Sequence, residues 1–214
     1  DKIVTKDIIR ISVPLMLQYV LSVTTWLVFF MLIESLHNDV YKAISNTMRN
    51  VFGIAGVFIW AFASTSNVMV SNLMGQQKEE LVITAINKIT KLCMILCVFI
   101  CLLVNIFPGV FFGIFGQGED FVQQGIPVLR VVSVDLLLMC LANIWLNGVT
   151  GTGKTKMNLF IEIVAISLYL VYTWIVIKVH FVSLAVAWTN EFVYWGVIFI
   201  IAYFYLKSGK WKTK

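Results

Sequence analysis

Three long stretches without a charged residue constrain this chain more than any other feature of its sequence. They run from Ile11 to Ile33, from Asn50 to Gln77 and from Leu92 to Gly118. Each exceeds the roughly 20 residues that an α-helix needs to cross a bilayer. Backbone groups in lipid must be hydrogen-bonded internally, which leaves helices or closed barrels. Barrel strands alternate over about 10 residues; these runs are longer and do not alternate, so the sequence predicts transmembrane helices.

The composition supports this class, because 60% of the 214 residues are hydrophobic and 13% are charged. A soluble domain averages about 45–50% apolar and about 25% charged residues. Pro14 is expected in the first turn of the first span, where a missing N–H costs little. Pro108 is expected to kink or end the third span. We predict an all-α membrane protein whose residues 1–214 form one lobe, with six spans at about residues 11–33, 51–73, 92–112, 127–146, 158–177 and 181–206.

The net charge of +5 is assigned to the membrane surface, because the lysines cluster at the ends of the spans. No basic stripe with interleaved aromatic residues is present, so no nucleic-acid partner is expected. Twelve of the 16 Lys and Arg residues lie in the lead-in, in the loops after spans two and four, and in the tail. The positive-inside rule then predicts a multi-pass protein of the inner or plasma membrane with both termini in the cytoplasm.

The loop after span four fits a short phosphate-binding pattern, in which Gly148 is followed after four residues by Gly153, Lys154 and Thr155. That pattern binds nucleotide when a buried strand precedes it and a soluble helix follows. Here the apolar runs on both sides are too long for strands. We interpret the loop as a tight polar turn whose lysines face the anionic leaflet. A membrane-anchored nucleotide-binding protein is the alternative.

Polar side chains inside the spans are the candidate functional residues, since they are costly in lipid. In span one, Gln18, Ser22 and Thr25 share one helix face at i, i+4 and i+7. They either line a polar substrate cavity or bond to their own helix or a neighbour. In span two, Asn67 ends a polar run that begins at Ser64, and we expect this run to face other helices or a cavity.

Asp135 is the acidic residue of span four, and an intramembrane carboxylate is a functional hypothesis by default. Asn143 lies within about 80° of it on the helical wheel. We predict a cation or proton site at these two residues. The alternative is an Asp135 that pairs with Arg130 or with a backbone donor near the interface.

Acidic and aromatic residues also mark spans five and six as walls of the predicted substrate cavity. Glu162 and Tyr169 lie on one face of span five, at i and i+7. Glu191 interrupts span six among three aromatic residues, Trp188, Tyr194 and Trp195. Each aromatic residue is expected in an interfacial belt, with a pocket for a flat cation as the alternative.

We do not expect the four cysteines to form a metal site. Cys93, Cys97 and Cys101 lie four residues apart on one predicted helix, and Cys140 lies on another. The two histidines fall in predicted loops, and a metal site would need His or carboxylate partners nearby. We therefore interpret the thiols as packing groups. No nucleophile–His–acid set is present, so no enzyme activity is expected.

Three motifs occur in order along the chain. The first span opens with Ile-Ser-Val-Pro at 11–14, and the second ends with Val-Ser-Asn-Leu-Met-Gly-Gln at 70–76. The fourth is followed by Asn-Gly-Val-Thr-Gly-Thr-Gly-Lys at 147–154. With six spans, this order resembles the carboxy-terminal lobe of the multidrug and toxic compound extrusion (MATE) transporters, which build twelve helices as two six-helix bundles around a cavity. The last motif is similar to the family's Gly-x-x-Arg-Gly-x-Gly-Asp loop, with Thr150 at the Arg and Lys154 at the Asp.

The resemblance implies a secondary efflux transporter that exchanges drugs or cationic amphipathic compounds against a cation by alternating access. The coupling ion would be Na⁺ or H⁺, with no other cofactor. The family's Glu in the first helix of this lobe falls at Ser22. Its Asp in the fourth helix falls near Met139, which leaves Asp135 one turn away as a substitute. A flippase for lipid-linked precursors, which shares the superfold, is the alternative.

The expected partners follow from the same resemblance. Six helices leave a cavity-facing surface uncovered, so we expect the missing amino-terminal lobe or a second copy of the chain. A small-molecule substrate and the lipid bilayer are the other partners. Residues 1–10 form a charged lead-in without an initiating Met or a signal pattern, and we expect an excised or processed piece.

Overall fold

The computed structural model describes residues 2–115 and 118–212. Every regular element in these two ranges is a helix. The α-helices are α1 (Lys2–Glu34), α2 (Asp39–Gly75), α3 (Val82–Ile106), α4 (Pro108–Gly113), α5 (Glu119–Gly151), α6 (Thr155–Trp174), α7 (Leu184–Trp188) and α8 (Asn190–Lys207). A 3₁₀ turn (Glu79–Leu81) precedes α3, and a π turn (Ile175–Val179) extends α6.

Six helical segments of the described chain are long and apolar enough to cross a membrane, which confirms the all-α, six-helix prediction. They are Ile8–Glu34, Asp39–Gly75, Glu79–Ile106, Glu119–Gly151, Thr155–Val179 and Leu184–Lys207. The chain is therefore a multi-pass membrane protein. That residues 1–214 form a single lobe stays a prediction.

The two prolines considered above have different surroundings. Pro14 lies inside α1, which begins at Lys2, so the expectation that it opens a helix was wrong. The charged lead-in continues the helix because an α-helix does not have to start where its apolar run starts. Pro108 follows the end of α3 and opens the short helix α4, because a proline lacks the N–H that a continuing helix would need.

Helix α5 lies at the centre of the bundle and packs against α2, α3 and α8. Two glycines permit these close approaches. A Cβ on Gly151 would lie 2.7 Å from the Asn67 carbonyl oxygen of α2, and one on Gly148 would lie 2.6 Å from Ile86 Cδ1 of α3. Small residues at such positions let membrane helices approach closely. The peripheral helices α1 and α3 instead expose much of their apolar surface.

Candidate functional site

A layer of polar side chains lies buried where α1 packs on α6 and α6 packs on α8. The helical period of α6 places Glu162 and Tyr169 on its buried face. Phe160 and Ile163 lie on its exposed face. Helix α7 ends at Trp188 and α8 begins at Asn190 after Thr189, which places Glu191 in the first turn of α8. A helix N-terminus stabilises an acidic group there. We call the following residues the polar layer: Gln18, Ser22, Trp26, Glu162, Tyr169, Glu191 and Tyr194.

Glu162 is held by two helices at once. The Tyr194 hydroxyl on α8 donates a hydrogen bond to one carboxylate oxygen. The Gln18 amide on α1 donates to the other, at 3.3 Å. Ser22 lies within hydrogen-bond distance of the same Tyr194 hydroxyl, at 2.8 Å. Only 1% of Glu162 is exposed, so all of its contacts are internal.

Glu191 has a parallel set of donors. The Trp26 indole on α1 donates to one carboxylate oxygen at 3.2 Å, and the Tyr169 hydroxyl on α6 donates to the same oxygen at 3.4 Å. The rings of Tyr169 and Tyr194 meet edge to face with their centroids 5.8 Å apart. The two glutamates are therefore linked through a pair of tyrosines.

The partners of these glutamates are all neutral. Among the side chains that the structure describes, no Lys, Arg or His is buried, and Lys42 pairs with Glu34 and Asp39 at the surface. A buried carboxylate without an opposite charge is costly. Either a proton or a bound cation would remove that cost, so the layer is suited to exchanging one for the other.

Asp135 is the third buried carboxyl group, on α5. It is completely buried, and neither of its oxygens has a hydrogen-bond partner. Arg130 is exposed, so the alternative pairing of these two residues is not formed. Asn143 is also buried and its Nδ2 has no partner; the predicted pair makes no mutual hydrogen bond. Their helix α5 packs against α8, which carries Glu191.

Two predicted cavity residues lie outside this network. The Thr25 hydroxyl donates to the Leu21 carbonyl of its own helix at 2.7 Å, as the backbone alternative expected. Asn67 is half-buried and accepts a bond from Ser71 at 3.4 Å. In its polar run, Ser66 is the residue that reaches another helix, donating to the Ile144 carbonyl of α5 at 3.0 Å.

Sequence reasoning missed Trp26 and Asn158 as members of the site. Trp26 lies one turn after Ser22, so the helical period that grouped Gln18 with Ser22 would also have found it. Asn158 lies one turn before Glu162; its amide donates to Gln18 at 3.4 Å and to Thr150 at 2.6 Å. It therefore connects the polar layer to the end of α5.

The interfacial belt was wrong for two of its three aromatic residues. Trp188 is fully buried and Tyr194 is 8% exposed. Trp188 stacks on Phe52 with ring centroids 5.8 Å apart and meets Phe29 edge to face. Trp188 and Tyr194 lie in the interior of the bundle, where their polar atoms have hydrogen-bond partners. The Trp188 indole donates to Ser45 at 3.3 Å, and the Tyr194 hydroxyl donates to Glu162.

The loop with the phosphate-binding pattern has the geometry of an interhelical turn. Gly148 lies inside α5, and Gly153 takes a left-handed conformation with φ +77° between α5 and α6. No strand precedes it in the described part of the chain. The structural context that nucleotide binding requires is therefore missing.

Comparison with known proteins was made for both sequence and fold. The MatE family profile matches residues 14–175. No curated protein sequence matches the chain.

Solved structures of MATE transporters share the fold. One is an outward-facing multidrug resistance MATE family transporter of the MOP superfamily, at 16% identity and TM-score 0.79, covering 93% of this chain and 43% of its own. Another is a Pyrococcus furiosus MOP superfamily transporter, described as having a binding pocket of reversed polarity that suggests a different function, with the same scores and coverage. A MATE protein with a single proline-to-alanine substitution gives 15% identity and TM-score 0.86, covering 97% of this chain and 46% of its own. The chain thus spans less than half the length of these structures.

Proposed function

Because this chain belongs to the MatE family, as its motifs predicted, we propose that it forms one lobe of a secondary transporter that exports cationic or amphipathic compounds. The observation that carries the proposal is a set of three buried carboxyl groups, Asp135, Glu162 and Glu191, without a basic partner among the described residues. Such groups attract a cation into an apolar bundle. The complete transporter would contain a second lobe or a second copy of the chain.

The surroundings of the three carboxyl groups differ, and we assign them different roles on that basis. Asp135 has no hydrogen-bond donor, so its charge depends most on a bound ion, and we assign the coupling proton or Na⁺ to it. Glu162 and Glu191 have neutral donors and aromatic neighbours, which suit an organic cation through charge and cation–π attraction. Asp135 lies on α5 and Glu191 on α8, two helices that pack against each other. Repulsion between a coupling ion and a cationic cargo held on these helices would make the two compete, as antiport by alternating access requires.

A flippase for lipid-linked precursors is the second candidate within the same fold, and fold alone does not decide the substrate. Phosphate-bearing cargo would need basic groups in the cavity. The buried charged residues of the described chain are all acidic, which favours cationic cargo.

The test uses the complete transporter in proteoliposomes. Efflux of a fluorescent lipophilic cation is measured under an imposed pH gradient and, separately, an imposed Na⁺ gradient, for the wild type and for Asp135→Asn, Glu162→Gln and Glu191→Gln. We expect strong loss of gradient-driven efflux in all three. Glu80→Gln, which neutralises an exposed acid of the loop before α3, is the matched control and should transport normally. Wild-type efflux in the three buried variants would refute the proposal, and the gradient that drives efflux identifies the coupling ion.

A further inference from the structure

Three cysteine sulfurs from two helices meet where α5 packs against α3. Cys93 and Cys97 lie one turn apart on α3, and Cys140 lies on α5. All three Sγ atoms lie within 4.8 Å of one another, and those of Cys93 and Cys97 are 3.9 Å apart. Three thiolates about 2.3 Å from a shared ion lie roughly 3.4–4.0 Å apart, from a pyramidal to a flat trigonal arrangement. The cluster is therefore close to the spacing that a three-sulfur site requires.

Charge decides which ion this cluster suits. Cys93 and Cys140 are fully buried and Cys97 is 4% exposed. No basic side chain is buried in the described chain, and Lys91, close by on α3, is exposed. Three thiolates bound to a monovalent ion would leave a net charge of −2 in the bundle. Bound to a divalent ion, they would leave a net charge of −1. A trivalent ion leaves none, which avoids the cost of burying charge in a membrane protein.

We propose that Cys93, Cys97 and Cys140 form a binding site for trivalent arsenic or a similarly thiophilic trivalent ion. Arsenite enters as the neutral As(OH)₃, and each thiol replaces one hydroxide. Three As–O bonds break, three As–S bonds form, and each thiol proton leaves with a hydroxide as water. Arsenic stays trivalent throughout, so no oxidant or reductant takes part.

A groove formed by the same two helices is where we expect this small neutral solute to approach the cluster. It has a volume of about 430 Å³ and is lined by α3 residues that include Thr90 and Met94, and by Leu141 of α5. Met94 and Leu141 each follow a cysteine of the cluster in sequence. The Thr90 hydroxyl is buried without a hydrogen-bond partner, so a polar solute that entered below the groove surface would find an unpaired hydroxyl there.

The fourth cysteine supplies the matched control. Cys101 lies on the same helix, but its thiol donates to the Ser133 carbonyl at 3.5 Å, and it is not part of the three-sulfur cluster. A Cys101→Ser variant therefore removes a thiol from α3 and leaves the cluster intact. The proposal is also independent of the transport proposal, since it involves none of the three carboxyl groups.

The experiment is direct binding of arsenite to the purified full chain in detergent under reducing conditions. Arsenic per chain is measured by mass spectrometry after desalting, and arsenic X-ray absorption counts the sulfur neighbours. We expect one arsenic with three sulfur neighbours in the wild type and in Cys101→Ser. Loss of only an outer partner of a metal ligand costs roughly 10- to 100-fold in affinity, so Cys93→Ser, Cys97→Ser and Cys140→Ser should each bind at least about 10-fold more weakly.

Several results would overturn the inference. One is equal arsenic binding by Cys140→Ser and wild type, and another is coordination by two sulfurs. A third is cysteine-dependent binding of Cu⁺ or Zn²⁺ by a wild type that does not bind arsenite, which would contradict the charge argument. Far-ultraviolet circular dichroism and gel filtration of each variant separate weaker binding from misfolding, and Cys93→Ala provides an apolar replacement where serine unfolds the protein.

Discussion

The Tyr194 hydroxyl on α8 donates a hydrogen bond to the Glu162 carboxylate on α6, in a region where both side chains are almost completely buried. This bond joins two spans that sequence inspection had treated as separate. It also explains how an acidic residue can lie inside an apolar bundle, because a neutral donor stabilises the carboxylate without adding a second buried charge.

Tyr194→Phe removes that donor while it keeps the ring. Hydrogen bonds between membrane helices are worth about 0.6 kcal/mol on average and up to about 1.7 kcal/mol, so we expect destabilisation in this range, and a lower thermal midpoint in detergent. Tyr19→Phe, on the exposed face of α1, is the control and should melt like the wild type. Equal melting of both variants would argue against the bond.

Asp135→Asn should behave differently from a substitution in a satisfied network. Both Asp135 oxygens lack a hydrogen-bond partner, so the substitution removes a buried group that can ionise without breaking a hydrogen bond. We expect the thermal midpoint to stay the same or rise, while gradient-driven transport by the complete protein falls. A clear loss of stability on this substitution would mean that Asp135 has a structural partner.

Gly151→Ala tests the close approach of α5 to α2. The new Cβ would lie 2.7 Å from the Asn67 carbonyl oxygen and 2.7 Å from Val70 Cβ. Overpacking typically costs about 1–3 kcal/mol, so we expect a marked fall in the thermal midpoint. Gly53→Ala is the matched control, since a Cβ there meets nothing within 4 Å and alanine is favoured in a helix by about 1 kcal/mol. Stability should therefore change in opposite directions at the two glycines.

Ser66→Ala tests the contact between α2 and the middle of α5. It removes the hydroxyl that donates to Ile144, and we expect a loss of about 0.6 kcal/mol. Thr65→Ala at the neighbouring exposed position removes a hydroxyl that bonds only to its own helix, at Ala61. Chemical denaturation of the two variants in the same detergent should show the larger loss for Ser66→Ala; the reverse order would be inconsistent with the observed contact.

Lys154→Ala tests the phosphate-binding pattern directly. Lys154 lies in the turn before α6 and has no strand before it in the described chain. Titration with a fluorescent ATP analogue should therefore give no saturable signal in the wild type or in the variant. Saturable binding that the substitution abolishes would restore the nucleotide-binding alternative.

The candidate site was predicted in part. The period of α1 grouped Gln18 with Ser22, and both join the polar layer, but the same period also included Thr25, which bonds to its own backbone. Glu162, Tyr169 and Glu191 were chosen because polar groups are costly in lipid, and the structure brings all three together. Asp135 and Asn143 were paired by the helical wheel, yet neither bonds to the other. The role of all these residues in binding stays a prediction, as do the orientation of the protein in the membrane and the identity of the coupling ion.

The amino-acid sequence by itself determined the class of this protein and the number and approximate positions of its membrane-spanning helices. Charge-free runs longer than a bilayer is thick leave few structures other than transmembrane helices, and the order of short motifs pointed to the MATE family. These are local properties, because length, hydropathy and helical period depend on neighbouring residues alone.

Only the tertiary structure decided which side chains meet. Gln18 and Glu162 are 144 positions apart in the chain, and Cys140 joins Cys93 across a helix interface. Such contacts depend on how each helix is rotated and how closely it approaches its neighbour, which the packing of residues such as Gly148 and Gly151 sets. A helical period fixes which residues share a face, but the partner of that face is chosen by the packing of the whole bundle.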